Sequence, residues 1–148
     1  MTTTAPLANS RTIGLAHYAA RAVLERVMSR RGLTFLDTTV LRPVAAAEKP
    51  LTRERLVQGV THDVKVSAAE AGRTLDELTD RGLLIVDDSG LVRMTDAGRE
   101  LYDSGTAETA QASARIWADI PEADLAAAGR VLALVTERAN AELAAAGE

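Results

Sequence analysis

From Ser67 to Leu101 the chain reads SAAEAGRTLDELTDRGLLIVDDSGLVRMTDAGREL, and its hydrophobic period changes along the way. Ser67 is a strong N-cap, and Glu70 three residues on completes the S-x-x-E form of a capping box. Ala71, Leu75 and Leu78 recur at helical spacing. Arg81-Gly82 closes that helix with a cation at the negative end of its dipole and a glycine at C′. Leu83 to Val86 is a short apolar run of strand type. Asp88-Ser89-Gly90 is turn chemistry, and Leu91 to Met94 is the return strand. Thr95-Asp96 opens a further helix. A helix followed at once by a two-stranded ribbon is the shape of a winged helix, in which the helix can enter a DNA major groove with the ribbon beside it.

The segments DELTDRGLLIV and LVRMTDAGREL resemble the end of the recognition helix, the wing and the next helix start of the multiple antibiotic resistance regulator (MarR) family. The resemblance covers nearly the whole chain. It implies a mainly α fold with a small β-hairpin wing, a winged helix-turn-helix dimerising through its N- and C-terminal helices. It also implies a repressor released from DNA by small phenolic or lipophilic ligands. The division expected is an N-terminal arm and dimerisation helix over 1–33, a DNA-binding domain over 34–95 and C-terminal dimerisation helices over 96–148.

At 148 residues the chain has room for one domain, or one domain with helical extensions. It has no cysteine, which excludes a disulfide framework and a thiol nucleophile. Abundant alanine and only 3% aromatics suit helices packed through Leu, Val and Ala. No apolar run approaches the ~20 residues of a membrane span. MTTTAPLANSR lacks the apolar core of a signal peptide, so a cytoplasmic protein without a membrane role is expected. The net charge is −4, unevenly spread. Residues 1–49 carry seven Lys/Arg against three Asp/Glu, residues 50–95 six against eight, and residues 96–148 four against ten. The segment proposed to read DNA is therefore not basic, and any binding must rest on a few well-placed cations.

Residues 1–9 read as a loose arm. A helix follows from Ser10 to about Arg30. Ile13, His17, Ala20, Leu24, Val27 and Met28 form one apolar stripe on it, and Leu15, Ala19, Ala22 and Val23 a second. Two stripes need two partners, the helix's own core and a second subunit. Thr34 caps the next helix with Asp37 at its third position. Pro43 lacks a donor and crowds the turn before it, so that helix is expected to end or kink near Arg42. After a connector over 45–50, Leu51-Thr52 opens a short helix, RERLVQGVTHDV. With the Ser67 helix it makes a helix-turn-helix with a slightly long turn from His62 to Val66, and His62 reads as a surface or turn residue. Beyond the wing a long helix runs from Thr95 to about Asp119, its middle almost all small residues. Pro121 is expected at the first position of a final helix. Its stripe of Leu125, Leu132, Val135, Ala139 and Leu143, widened by Val131 and Leu134, is again too apolar for a one-sided surface helix.

In helix-turn-helix proteins the first turns of the second helix meet base edges. That places Ser67, Ala68, Ala69 and Arg73 toward a groove, with Arg73 the strong reader, able to fork onto guanine or hold a phosphate. Thr52, Arg53, Arg55 and Lys65 are candidate phosphate contacts on the preceding helix and turn. The wing departs from the family form, which is longer and carries an Asp-x-Arg element reaching the minor groove. Here DDSG is a tight turn, and Arg93 is the ribbon's cation. The resemblance further implies a ligand pocket where dimer helices meet the winged domain. His17, Tyr18, Arg21, Phe35, Arg42 and Trp117 are the candidates, with Arg21 or Arg42 suited to an anionic or phenolic ligand. Taken singly, Phe35 and Trp117 read as core residues and His17 as an interface histidine.

No phosphate loop, H-E-x-x-H or triad pattern is present, and two distant histidines make no metal site, so neither an enzyme nor a cofactor is expected. The expected partners are a pseudo-palindromic double-stranded operator, a second copy of the chain and a small anionic or phenolic ligand. The competing reading is a dimer of the same family that no longer binds DNA and serves as a small-molecule or protein-binding module.

Overall fold

Asn9 begins the first element. In the computed structural model, which describes residues 5–147, its side chain accepts from the Arg11 and Thr12 amides, and Thr12 returns a bond to the Asn9 amide at 2.9 Å. This box starts α1 (Ser10–Ser29). Thr34 and Asp37 form the same reciprocal pair at α2 (Phe35–Ala46). There follow β1 (Leu51–Thr52), α3 (Arg53–Val64), α4 (Ala68–Asp80), β2 (Leu84–Val86), β3 (Leu91–Met94), α5 (Asp96–Trp117) and α6 (Glu122–Ala146). The reading of residues 1–4 as a loose arm falls outside the described residues; residues 5–9 form neither helix nor strand.

The described chain divides into two compact units, up to Ala112 and from Ser113. The first unit holds one core. Met28 from α1, Val40, Leu41 and Val44 from α2, Leu56 and Val60 from α3, and Ala71, Leu75 and Leu78 from α4 meet Leu84, Val92 and Tyr102. Of the two stripes on α1, the first ends in this core through Val27 and Met28, while Leu15, Ala19, Ala22 and Val23 are exposed.

Three expectations need correction and one needs an addition. Leu51-Thr52 opens α3 as expected, with Thr52 as its N-cap, but the two residues also pair. They form a short strand opposite Val92 and Leu91, so the ribbon is the rest of a three-stranded antiparallel sheet, ordered β1-β3-β2. Two residues carry too little periodicity to show as a strand, and only the open edge of β3 makes them one. Secondly, α2 does not stop near Arg42 but continues past Pro43 to Ala46. The proline sits close to the helix end, and the buried Val40, Leu41 and Val44 hold the helix across it. Thirdly, Ser67 accepts from the Glu70 amide at 3.1 Å, but Glu70 does not complete a box, and its side chain turns elsewhere. Finally, Pro121 is the N-cap of α6 and not its first residue; its extended ψ of 136° leaves its carbonyl to accept from Asp124 and Leu125.

In the second unit, α6 has no buried residue among those described. Val131, Leu132, Leu134 and Val135 are each 44% exposed. No helix among the described residues is long and apolar enough to cross a membrane.

Candidate nucleic-acid interface

The helix-turn-helix is α3 and α4, joined through Lys65, which caps α3 in the left-handed region at φ 59°. Lys65 also folds its ammonium back onto the His62 carbonyl at 2.6 Å. His62 is exposed beside Asp63, as a surface residue should be, but it lies in the last turn of α3, so the turn itself is shorter than the sequence suggested. The first turn of α4 is open: Ser67, Ala68, Ala69, Glu70 and Arg73 are exposed, whereas Ala71, Gly72, Thr74 and Leu75 face the core. Amphipathicity alone therefore presents Arg73 and the two alanines outward. Ser67 spends its hydroxyl as the cap of this helix.

The four expected phosphate contacts differ in availability. Thr52 is half-buried and accepts from the Arg55 amide at 3.2 Å, capping α3. Arg55 is exposed, and no ion pair holds it among the described residues; the same is true of Arg73. Arg53 is not free. Its guanidinium donates to both oxygens of Asp76, at 2.6 and 3.1 Å, and reaches the Gly72 carbonyl at 3.4 Å.

The wing is as short as its sequence suggests. Asp87 turns its carboxylate inward, accepting from the Ser89 and Leu91 amides at 2.9 and 3.0 Å. Gly90 supplies the positive φ of 75° that closes the turn. Of the two aspartates Asp88 is exposed and Asp87 half-buried. Arg93 is exposed and stands 3.9 Å from Asp87, too far for a strong pair.

A concavity lies under the turn between α3 and α4. This cleft of about 370 Å³ is lined by Arg21 and Glu25 of α1, by Thr34, Phe35 and Leu36, and by Val64, Val66 and Glu70. The Arg21 guanidinium lies 4.1 Å from the centre of the Phe35 ring and is paired to Glu25 at 2.8 Å. Glu70, seen from the sequence as a capping residue, is instead part of this wall. Only the fold could show that, because the helix start and the cleft claim the same side chain. Of the expected ligand residues, the structure brings Arg21 and Phe35 together. His17 and Tyr18 lie one turn earlier on α1, edge to face at 5.7 Å, both exposed. Arg42 is exposed and does not line the cleft. Trp117, in the second unit, is 56% exposed and not a core residue of this chain. No cluster of metal-ligating side chains occurs among the described residues.

No family model and no curated protein matches the chain. Solved structures do. CouR from Rhodococcus jostii RHA1, bound to p-coumaroyl-CoA, superposes with a TM-score of 0.71 at 20% identity, over 84% of this chain and 89% of that one. A MarR-family transcriptional regulator from Rhodococcus sp. RHA1 gives 0.68 at 21%, over 88% and 96%. A MarR-family protein of Mycobacterium tuberculosis in complex with DNA gives 0.65 at 20%, over 89% and 98%. The chain has the MarR-type winged-helix fold.

Within the MarR-type fold, the elements read from the sequence fall where they should: α3 and α4 as the helix-turn-helix, β2 and β3 as the wing, α5 and α6 after it. The feature missed was the hold on Arg53. Asp76 lies far along the chain, and nothing in the spacing joins the two. The carbonyl of Gly72 beside that guanidinium was the one available signal, since a glycine inside a helix invites close approach.

Proposed function

We propose that this protein is a homodimeric, ligand-responsive DNA-binding transcriptional regulator, acting as a repressor at a pseudo-palindromic operator. The observation that carries the reading is the open first turn of α4, with Arg73 exposed and held by no ion pair among the described residues, followed by a short wing. One winged module would meet each half-site. Arg55 and Lys65 would hold phosphates, Ala68 and Ala69 would touch thymine methyls, and Arg73 would read a base or grip the backbone. Arg93 would reach only the nearby backbone from so short a ribbon. The exposed apolar faces of α1 and α6 support a second copy of the chain as partner.

The ligand would enter the cleft of Arg21 and Phe35. A small phenolic or carboxylated compound can stack on Phe35 and compete with Glu25 for Arg21. Because Glu70 belongs both to this wall and to the first turn of α4, an occupant presses on the reading helix itself. Half-site spacing is set by the DNA helical turn, so a small shift of two reading helices lowers affinity.

A gel shift of the purified protein against the DNA upstream of its own coding region tests this at low and moderate salt. The expected result is a shift that weakens steeply with salt. Arg73→Ala should weaken specific binding by about tenfold or more, the cost of one lost bidentate base contact. A second reading, a dimer that binds no DNA, is favoured by the tight acidic wing and the engaged Arg53. The absence of any shift at either salt would turn the conclusion to it.

A further inference from the structure

We infer that Arg53 and Asp76 form a positioning clasp that sets the reading helix against the wing, and that Arg53 is not a phosphate contact. The inference rests on the DNA-binding reading above. Arg53 is the first residue of α3, and its two ends serve different neighbours. Its backbone amide donates to the Gly90 carbonyl in the wing turn at 3.0 Å. Its guanidinium forks onto Asp76 in the middle of α4, at 2.6 and 3.1 Å, and touches the Gly72 carbonyl at 3.4 Å. One residue thus joins wing, first helix and second helix, the three elements that must meet DNA in a fixed relation.

The geometry leaves Arg53 little to offer a phosphate. A guanidinium binds carboxylate or phosphate through the same planar pair of N–H groups, and here the carboxylate holds them. Gly72 lies directly beside the guanidinium, at a distance where a Cβ would meet it in ordinary contact at 3.4 Å. A groove of about 700 Å³ runs alongside, between Thr52, Glu54 and Gln58 on one side, Ala68 on another, and the wing residues Ser89 and Gly90. Without the clasp this groove can widen or close, and wing and helix lose their common reference. The pair is also poorly suited to a purely stabilising role. Its side chains are 40% and 60% exposed, and exposed pairs add little to stability. Its effect should therefore appear in DNA affinity more than in melting temperature.

The two roles for Arg53 predict opposite signs for Asp76→Asn. If Arg53 grips phosphate, removing Asp76 frees it and deletes a negative charge, so DNA binds more tightly. If Arg53 positions α4, removing Asp76 loosens the helix, so DNA binds more weakly. Full-length wild type, Asp76→Asn, Arg53→Gln and Arg53→Lys would be titrated with the upstream operator DNA across a salt series. The expected result is a loss of about tenfold in each variant, the scale of one misaligned base contact, with melting temperatures and salt slope unchanged. The double variant should be no weaker than either single one. Tighter binding by Asp76→Asn, or a salt slope reduced by about 0.9 in Arg53→Gln, would overturn the inference. Arg53→Lys keeps the charge but not the fork, and so guards against a glutamine variant that fails to fold. A wild type that binds no DNA would refute the proposed function instead. Hydrogen exchange without DNA then decides the clasp: Arg53→Gln should speed exchange in α4 and the wing turn, and unchanged rates there would end it.

Discussion

Glu108 shows how single residues on α5 are held by their neighbours. Its carboxylate meets Arg30 at 2.7 Å and Arg31 at 3.0 Å, while Arg31 also donates to Ser104 and to the Val27 carbonyl. The hydrogen bond from Arg31 holds the Glu108 carboxyl below its ordinary value of 4.5; partial desolvation opposes this, and the charges of Arg30 and Arg31 add to it. A carboxyl with a lowered folded pKa contributes stability that is present above its unfolded value and lost as pH falls through the folded one. Thermal melts should therefore place Glu108→Gln below wild type at neutral pH, and the gap should close as the pH drops well under 4.5. A constant gap down to the acid limit would show that the carboxylate charge contributes nothing. The RRG at the end of α1 could be read as a helix stop. That its two arginines close on a glutamate so far along the chain is a tertiary fact.

Among elements, the junction of α4, β2 and α5 explains why the chain writes RGL and then T-x-AG. Gly82, at φ 72°, ends α4 in a Schellman turn, with Leu83 donating to the Leu78 carbonyl and Gly82 to that of Thr79. Thr95 donates its hydroxyl to the Gly82 carbonyl at 2.7 Å and accepts from the Gly98 amide at 2.9 Å, so one side chain ties the end of one helix to the start of another. Gly98 is buried against the Leu83 carbonyl, which any Cβ there would strike. Gly98→Ala should destabilise the protein by about 1–3 kcal/mol in denaturant titration, because the obstruction is backbone and cannot rotate away. Gly59→Ala is the contrast: it lies in α3 with nothing near its missing Cβ and should stabilise by about 1 kcal/mol through helix propensity. Equal effects at the two glycines would refute the close-approach argument. The motif was legible as a pattern. The contact that demands it was not, since Leu83 and Gly98 meet only once the hairpin between them has formed.

The whole molecule carries more apolar surface than its own core covers. On α1, Leu15, Tyr18 and Val23 are exposed, and on α6 so are Val131, Leu132, Leu134, Val135 and Leu143. Helical faces of this width are covered in stable proteins, and the proposed cover is a second copy of the chain. Wild type should sediment as a dimer at micromolar concentration. Leu132→Glu with Val135→Glu should shift it to monomer with the helicity of the first unit retained. A monomeric wild type would remove the half-site geometry on which the proposed repressor mechanism depends.

What the amino-acid order decided by itself was local. Caps, turn residues and hydrophobic period act over a few positions, so Thr34, Ser67, Asp88-Ser89-Gly90 and the apolar repeat of α4 marked their elements without any knowledge of the fold. Side-chain allegiance was decided elsewhere. Whether Arg53 faces phosphate or Asp76, whether Glu70 caps a helix or lines a cleft, and whether Leu51-Thr52 also joins a sheet all turn on groups distant in the chain. A charged or polar group takes the best-placed partner it is offered in three dimensions, and that partner's place is not written in its neighbours.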